Sequence, residues 1–334
     1  MSVLSKTIAS GPPWVFLSAT GMLVLLITGF VASPVVAEPV VPGTGIRLRG
    51  VGDDLEDESW QYHRKDDKSS RNIDEKERNP QGRSANGRWS EGPHRGQPDL
   101  VKRIPTPPGG LAVSRGALLI RTLNPGIPGE RTYEPQQDDL ILDVEKRLGR
   151  SIEPSSKPNC VTRVYLPAFN YWEKRTGSHF GFRLDTWGKK SELRIRSTQY
   201  WPGIFINLRS MSDSRYGEDS AFLTVRANGN GRDIKGPEIK QLGWWTLGLS
   251  VCPEGMIHFY ASPGVDELTA EDYLTSQYSY GFRCRRVDLF FFNIVTTDDG
   301  KSKSTPLIVD DPMFYVSNPR IAAGFRSNQQ FPAK

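Results

Sequence analysis

The chain has 334 residues, with 43 Lys and Arg against 38 Asp and Glu, for a formal net charge of +5. That length holds one large domain or two small ones. The slight positive excess suits an acidic partner, but acids are interleaved with arginine almost everywhere, which excludes the dense basic arm of a nucleic-acid binder.

The chain opens on an export signal. Met1–Pro13 carries Lys6 and no acid, Trp14–Ala32 is a charge-free apolar run, and Pro34-Val-Val-Ala37 places small residues where a signal peptidase reads them. Residues 1–37 therefore read as a signal peptide cleaved after Ala37. The alternative is an uncleaved anchor, since about 19 apolar or small residues just span a bilayer. Both place the remainder in the periplasm, on the cell surface or outside the cell, with membrane contact only through this segment if it stays attached.

Residues 38–108 show no apolar period. Asp53-Asp-Leu-Glu-Asp-Glu58 is acidic, His63–Arg71 mixes signs, and Asn79–Gly96 is rich in Gly, Arg, Asn and Pro. Such a composition is expected to stay disordered, as a charged linker that gives reach. Order is expected from Gly109 to Pro319, with 320–334 as a flexible tail.

Within 109–319 the period is that of strands. Ala117–Thr122, Val161–Leu166, Phe180–Trp187, Glu192–Ser197, Gly203–Arg209 and Ala221–Asn228 are short, rich in β-branched or aromatic residues, and punctuated by turn formers. Asp138–Leu148 reads as a helix or an irregular loop. Trp244–Val251 and Met256–Ala261 form a hairpin across Cys252-Pro-Glu-Gly255, where Pro fixes φ and Gly tolerates a positive one. Ser262–Gln277 reads as a loop with one helical turn. Arg286–Val295 and Leu307–Val316 close the pattern, the first apolar on both faces and so expected as a central strand. The fold class is all-β, a two-sheet antiparallel sandwich.

Alternation divides each strand into two faces. Phe180, Phe182, Leu184, Leu193, Ile195, Ile204, Ile206, Leu223, Trp245, Leu247, Ile257 and Phe259 fall on the core side. The opposite side carries Arg183, Asp185 and Trp187, then Asn207 and Arg209, Arg226, Trp244, and His258 with Tyr260. Aromatic faces stack on sugar rings, and Arg and Asn donate to hydroxyl, carboxylate or sulfate oxygens, so these nine are the candidate ligand-binding residues. The plain alternative is arginine stems lying over a sheet.

Three cysteines, Cys160, Cys252 and Cys284, allow one disulfide in an oxidising compartment, and Cys252–Cys284 is the expected pair because both flank neighbouring strands. No CxxC or His/Cys cluster points to zinc.

The run Gly243-Trp-Trp-Thr-Leu-Gly-Leu-Ser-Val251, the Pro253-Glu-Gly255 turn and Met256-Ile-His-Phe-Tyr-Ala261 resemble the central hairpin of concanavalin A-like jelly rolls, the group of lectins, laminin-G-like domains and glucanases. Pro306–Val316 resembles their closing strand. The resemblance covers about Gly109–Pro319 and implies a jelly roll with ligand on one sheet or its rim. It also implies a structural calcium, for which Asp310 and Asp311, or Asp298 and Asp299, are the acidic pairs available.

No enzyme motif is legible. Catalytic relatives place carboxylates at alternate positions of one strand, whereas Glu218-Asp219, Asp266-Glu267 and Glu271-Asp272 are adjacent and would face opposite sides. No Gly-x-Ser-x-Gly or His-Glu-x-x-His is present. The expectation is a non-catalytic, lectin-like domain for acidic or sulfated polysaccharide, with no cofactor beyond calcium. A structural or protein-binding domain of the envelope is the alternative, and a polysaccharide hydrolase or lyase the third reading.

Overall fold

The computed structural model describes residues 39–64, 82–92, 95–125, 135–297, 299 and 302–320. In chain order the strands begin with β1 (Ile46–Gly52), β2 (Tyr62–His63), β3 (Arg83–Ser84), β4 (Trp89–Glu91), β5 (Leu100–Pro105) and β6 (Gly116–Arg121). There follow β7 (Pro135–Asp143), β8 (Asn159–Leu166), β9 (His179–Lys189), β10 (Thr198–Tyr200), β11 (Gly203–Arg209) and β12 (Ser220–Arg226). The last are β13 (Ile234–Ile239), β14 (Gly243–Val251), β15 (Ile257–Pro263), β16 (Tyr273–Gln277), β17 (Arg283–Thr297) and β18 (Leu307–Val316).

They form two antiparallel sheets. The first runs β16-β15-β14-β8-β18-β6-β5, with β1 also on β18; the second runs β13-β12-β11-β9-β17-β7-β4-β3-β2, with β10 on β9. The chain crosses repeatedly between sheets, and β17 and β18 return beside β9 and β8. This nesting makes an all-β jelly-roll sandwich, in agreement with the resemblance at the level of fold. The expected hairpin is present as β14–β15, with Val251 opposite Ile257 and Gly255 at φ 79°, where a Cβ would lie 2.5 Å from the Cys284 carbonyl oxygen.

Strand alternation produces the core directly. Leu247, Leu249, Phe259, Val164, Val309 and Phe314 of the first sheet meet Phe180, Phe182, Ile204, Leu223, Phe290 and Phe292 of the second, all buried in one cluster. Each such side chain contributes ~1.5–3 kcal/mol relative to exposure. The long strand β17 is central as expected, flanked by β9 and β7, and its Phe292 stacks on Phe180 at 5.7 Å and on Trp89 at 5.4 Å.

Three expectations are corrected. Residues 38–108 are not a linker over their described part: β1 to β5 join both sheets, and Leu48, Val51, Leu55, Trp60 and Trp89 are core residues. The physical reason is a buried carboxylate rather than an apolar period. Asp53 is 2 % exposed; its Oδ2 accepts from the indole N–H groups of Trp60 (3.0 Å) and Trp89 (2.9 Å) and from Asn86 Nδ2 (2.9 Å). Its Oδ1 accepts from the Leu55 amide and from Arg88, both at 3.3 Å.

Glu192–Ser197 is not a strand, and Leu193 and Ile195 lie in water rather than in the core, each 93 % exposed. Nor is there a Cys252–Cys284 disulfide: all three thiols are free and buried. Cys252 is held in the hairpin turn by its amide donating to the Met256 carbonyl, and Cys284 Sγ donates to the Arg286 carbonyl at 3.4 Å. Burial pushes the Cys284 thiol up to about 12.

Asp138–Leu148 divides into the end of β7 and one helical turn, Val144–Leu148, capped by the Asp143 side chain. The leader 1–37 and residues 321–334 lie outside the described residues. Among the described residues no helix is long and apolar enough to cross a membrane.

Candidate functional site

The two outer faces of the sandwich have different fates, and this separates the nine candidate residues. Trp244, His258 and Tyr260 lie on the outer face of the first sheet, only 5 %, 2 % and 1 % exposed. The chain itself covers them. A Cβ on Gly248, which pairs with Tyr260, would meet Leu268 and Pro42 within 2.6 Å. Trp244 Nε1 donates to the Pro108 carbonyl (3.2 Å), and Ser250 Oγ to the Val40 carbonyl (2.5 Å). His258 Nδ1 is bonded to Ser276 Oγ, its Nε2 has no partner, and burial lowers its pKa to about 4. These three are therefore corrected from ligand-binding to packing positions. Strand parity assigns them to an outer face but is blind to what crosses over it.

Arg183, Asp185, Trp187, Asn207, Arg209 and Arg226 share the outer face of the second sheet. Register explains the grouping: Gly203 lies between Arg183 on β9 and Arg226 on β12, and Phe205 between Gly181 and Thr224. Arg183 is 7 % exposed, its guanidinium 5.3 Å from the Phe205 ring centre and 5.1 Å from that of Phe291. The close approach needs Gly181, where a Cβ would sit 2.7 Å from the Phe205 ring. Arg183 Nη2 donates to the Trp201 carbonyl at 2.8 Å, whereas its Nε, also buried, has no partner. Burial lowers the Arg183 pKa to about 10, an effect the nearby Asp139 opposes.

Asp139 and Asn293 flank this arginine. Asn293 is fully buried and its Nδ2 donates to Asp139 Oδ1 at 2.6 Å, while its own Oδ1 is unpartnered. Burial raises Asp139 to about 6 against the pull of Arg183 and Asn293. On the other side stand His179, with its ring edge-on to Phe205 at 5.1 Å, and Arg226, 4.6 Å over the same ring. His179 Nδ1 lies 3.1 Å from the Gly177 carbonyl, and burial, helped by Arg226 and Arg183, lowers its pKa to about 4, so its imidazole is neutral at pH 7.

Tyr280, in a left-handed backbone conformation (φ 58°), adds a half-buried phenol that feels both Arg183 and Arg226. Such a conformation in a bulky residue is costly and collects at functional sites.

The remaining residues radiate from this centre. Arg226 makes a two-pronged ion pair with Asp233 (2.9 and 2.7 Å). Arg209 pairs with Glu238 at 3.0 Å and lies 4.1 Å over the Phe222 ring. Asn207 Nδ2 donates to Thr224 Oγ1 at 2.9 Å. Asp185 accepts from Gln199 (2.6 Å) and Trp201 (3.0 Å), and burial raises it to about 6. Trp187 carries the Arg286 guanidinium 4.7 Å above its ring. Sequence reasoning missed Asp139, His179, Phe291, Asn293 and Tyr280 as site members. Asn293, the single polar residue between Leu289 and Val295, was the legible signal; Tyr280 offered none.

Asp310 is fully buried and raised to about 7 by burial and by its neighbour; one oxygen accepts the Asp311 amide and the other is unpartnered. Burial raises the Asp311 pKa, the positive charges of Arg163 and Arg47 oppose this, and the carboxylates of Asp54 and Glu56 add to it. Asp299 is engaged with Ser302 and lies 3.9 Å from Arg175; Asp298 lies outside the described residues. Among the described residues no group of three or more His, Cys, Asp or Glu could hold a metal.

The sequence matches no family model and no curated protein. Among solved structures it is similar to a carbohydrate esterase from the Shiga toxin-encoding bacteriophage phi24B, at 9 % identity and a TM-score of 0.41 over 70 % of this chain and 91 % of that one. It is also similar to an alginate lyase from Pseudomonas aeruginosa (10 % identity, TM-score 0.36, 66 % and 84 % covered). A third is the CBM2 module of the evolved Dit of Lactobacillus casei BL23 phage J-1 (11 %, 0.34, 64 % and 82 %). Likenesses this distant bear on neither ligand nor activity.

Proposed function

We propose that the outer face of the second sheet binds an acidic polysaccharide, without cleaving it. One observation carries the reading. The floor of this face holds a guanidinium clamped between two phenyl rings, Arg183, and a carboxamide, Asn293, each more than nine-tenths buried and each with an unsatisfied polar atom. Leaving such atoms unmet costs ~1–3 kcal/mol apiece. Both atoms lie beneath the surface, so a sugar hydroxyl, which both donates and accepts, meets them only as the overlying side chains part, while a uronate carboxylate or sulfate suits the arginines that line the face. The acidic partners of Arg226 and Arg209 act as internal competitors that an acidic ligand displaces.

The test is a glycan array with the full chain at two salt concentrations. Binding that weakens with salt, and that falls at least about tenfold in both Arg209→Ala and Arg226→Ala, is expected. Asp233→Asn, which frees Arg226, is expected to tighten it. Unchanged binding in both arginine variants would remove this face as the site, and a blank array would favour a protein partner in the envelope.

A second reading, cleavage of the same glycan, is favoured by His179, a neutral imidazole beside two guanidinium groups at pH 7. Release of oligosaccharides from acidic polysaccharides, abolished in His179→Ala, would establish it.

A further inference from the structure

The segment between β9 and β10 has the alternation of a strand, Leu193-Arg-Ile-Arg196, yet the structure turns it outward. Ser191 fixes the reversal: its Oγ accepts from the Leu193 amide at 3.2 Å and its carbonyl from the Arg194 amide at 3.1 Å. Leu193 and Ile195 are each 93 % exposed on this ordered turn. Lys189, Lys190, Arg194 and Arg196 flank them in the sequence, with Lys190 Nζ 5.1 Å over the Phe282 ring, and the single acid of the segment, Glu192, is ion-paired with Arg285.

One exposed leucine is ordinary. Two nearly bare aliphatic side chains one residue apart, set among cations, are a different matter. They ask for a partner that offers hydrocarbon and negative charge at the same depth. A polysaccharide supplies charge without hydrocarbon, whereas the headgroup–acyl boundary of an anionic bilayer supplies both. From this charge complementarity we infer that the 189–196 turn docks on an anionic lipid surface, with Leu193 and Ile195 entering the acyl boundary and the cations engaging the headgroups. The turn continues β9 beyond Trp187, at the edge of the glycan face, and it uses none of the residues of that proposal, so its failure would leave the glycan proposal standing.

The full chain labelled with an environment-sensitive nitrobenzoxadiazole probe at Ser197→Cys provides the test, because the native thiols are buried at 0 to 3 % exposure. The probe reports only the turn, so the N-terminal apolar run does not confuse the readout. A blue-shifted, brighter emission is expected with phosphatidylserine-containing vesicles and not with pure phosphatidylcholine. Leu193→Ser/Ile195→Ser is expected to need about tenfold more lipid or beyond for the same response. No shift on anionic vesicles, or the same response in the double variant, would overturn the inference. So would an equal shift with an acidic polysaccharide, which would assign the turn to glycan.

Discussion

Replacing Asp53 by alanine removes the acceptor that ties the polar N-terminal segment into the sandwich. Two indole N–H groups, on Trp60 at 4 % exposure and Trp89 at 0 %, are then buried without their acceptor. Each buried donor left unsatisfied costs ~1–3 kcal/mol, so the pair alone predicts ~2–6 kcal/mol. Asn86 and Arg88 also lose a partner, but the Arg88 side chain is 29 % exposed and regains water, so its share is small. A destabilisation of ~3–5 kcal/mol follows, in the range of breaking a buried charged network. For a domain of this size each kcal/mol lowers Tm by ~2–4 °C, so a fall of about 10 °C is expected. Thermal unfolding followed by near-UV circular dichroism reads the shift, with urea midpoints as a check on the slope. Asp53→Asn, which retains one oxygen, should fall between. A variant within about 0.5 kcal/mol of the parent chain would refute the reasoning that the Asp53 carboxylate holds this segment in the sandwich.

Two further outcomes follow from the same contacts. Asp310, raised to about 7 by burial, binds its proton more tightly folded than unfolded, so its share of stability is present at low pH and is lost as pH rises from about 4 through 7. His179 and His258, both lowered to about 4, act oppositely as pH rises toward 6.5, so the clean measurement is the difference between the parent chain and Asp310→Asn. The variant should gain Tm relative to the parent as pH rises to 8, and parallel profiles would refute the assignment. Gly181→Ala forces the Phe205 ring to move, which should cost ~1–3 kcal/mol and loosen the Arg183 clamp. Unaltered glycan affinity and Tm in that variant would show that the close approach is unimportant.

The amino-acid sequence by itself determined the periodic part of this protein. Alternation over Phe180–Leu184, Gly203–Arg209 and Trp244–Val251 has one physical cause, the need of a pleated strand to bury every second side chain, and it yields the strands, their inner faces and the sandwich class without reference to neighbours. The Arg183, Asp185, Trp187, Asn207, Arg209 and Arg226 grouping was legible for the same reason. Only the tertiary structure decided what alternation cannot encode. Period says which residues leave the core but not whether another segment lies over them, so Trp244, His258 and Tyr260 are shielded by Pro42, Leu268 and Pro108, while on the second sheet Arg183 and Asp185 are also buried and Arg209 and Arg226 stay partly in water. Period also misjudged both extremes of polarity. Asp53 converts a charged, aperiodic stretch into structure through hydrogen bonds from residues up to 36 positions away. Leu193 and Ile195, apolar and in register, are left in water because a serine turn ends the strand before them. In the first two cases the deciding contacts join residues that no local window contains, whereas the serine turn is local but invisible to alternation.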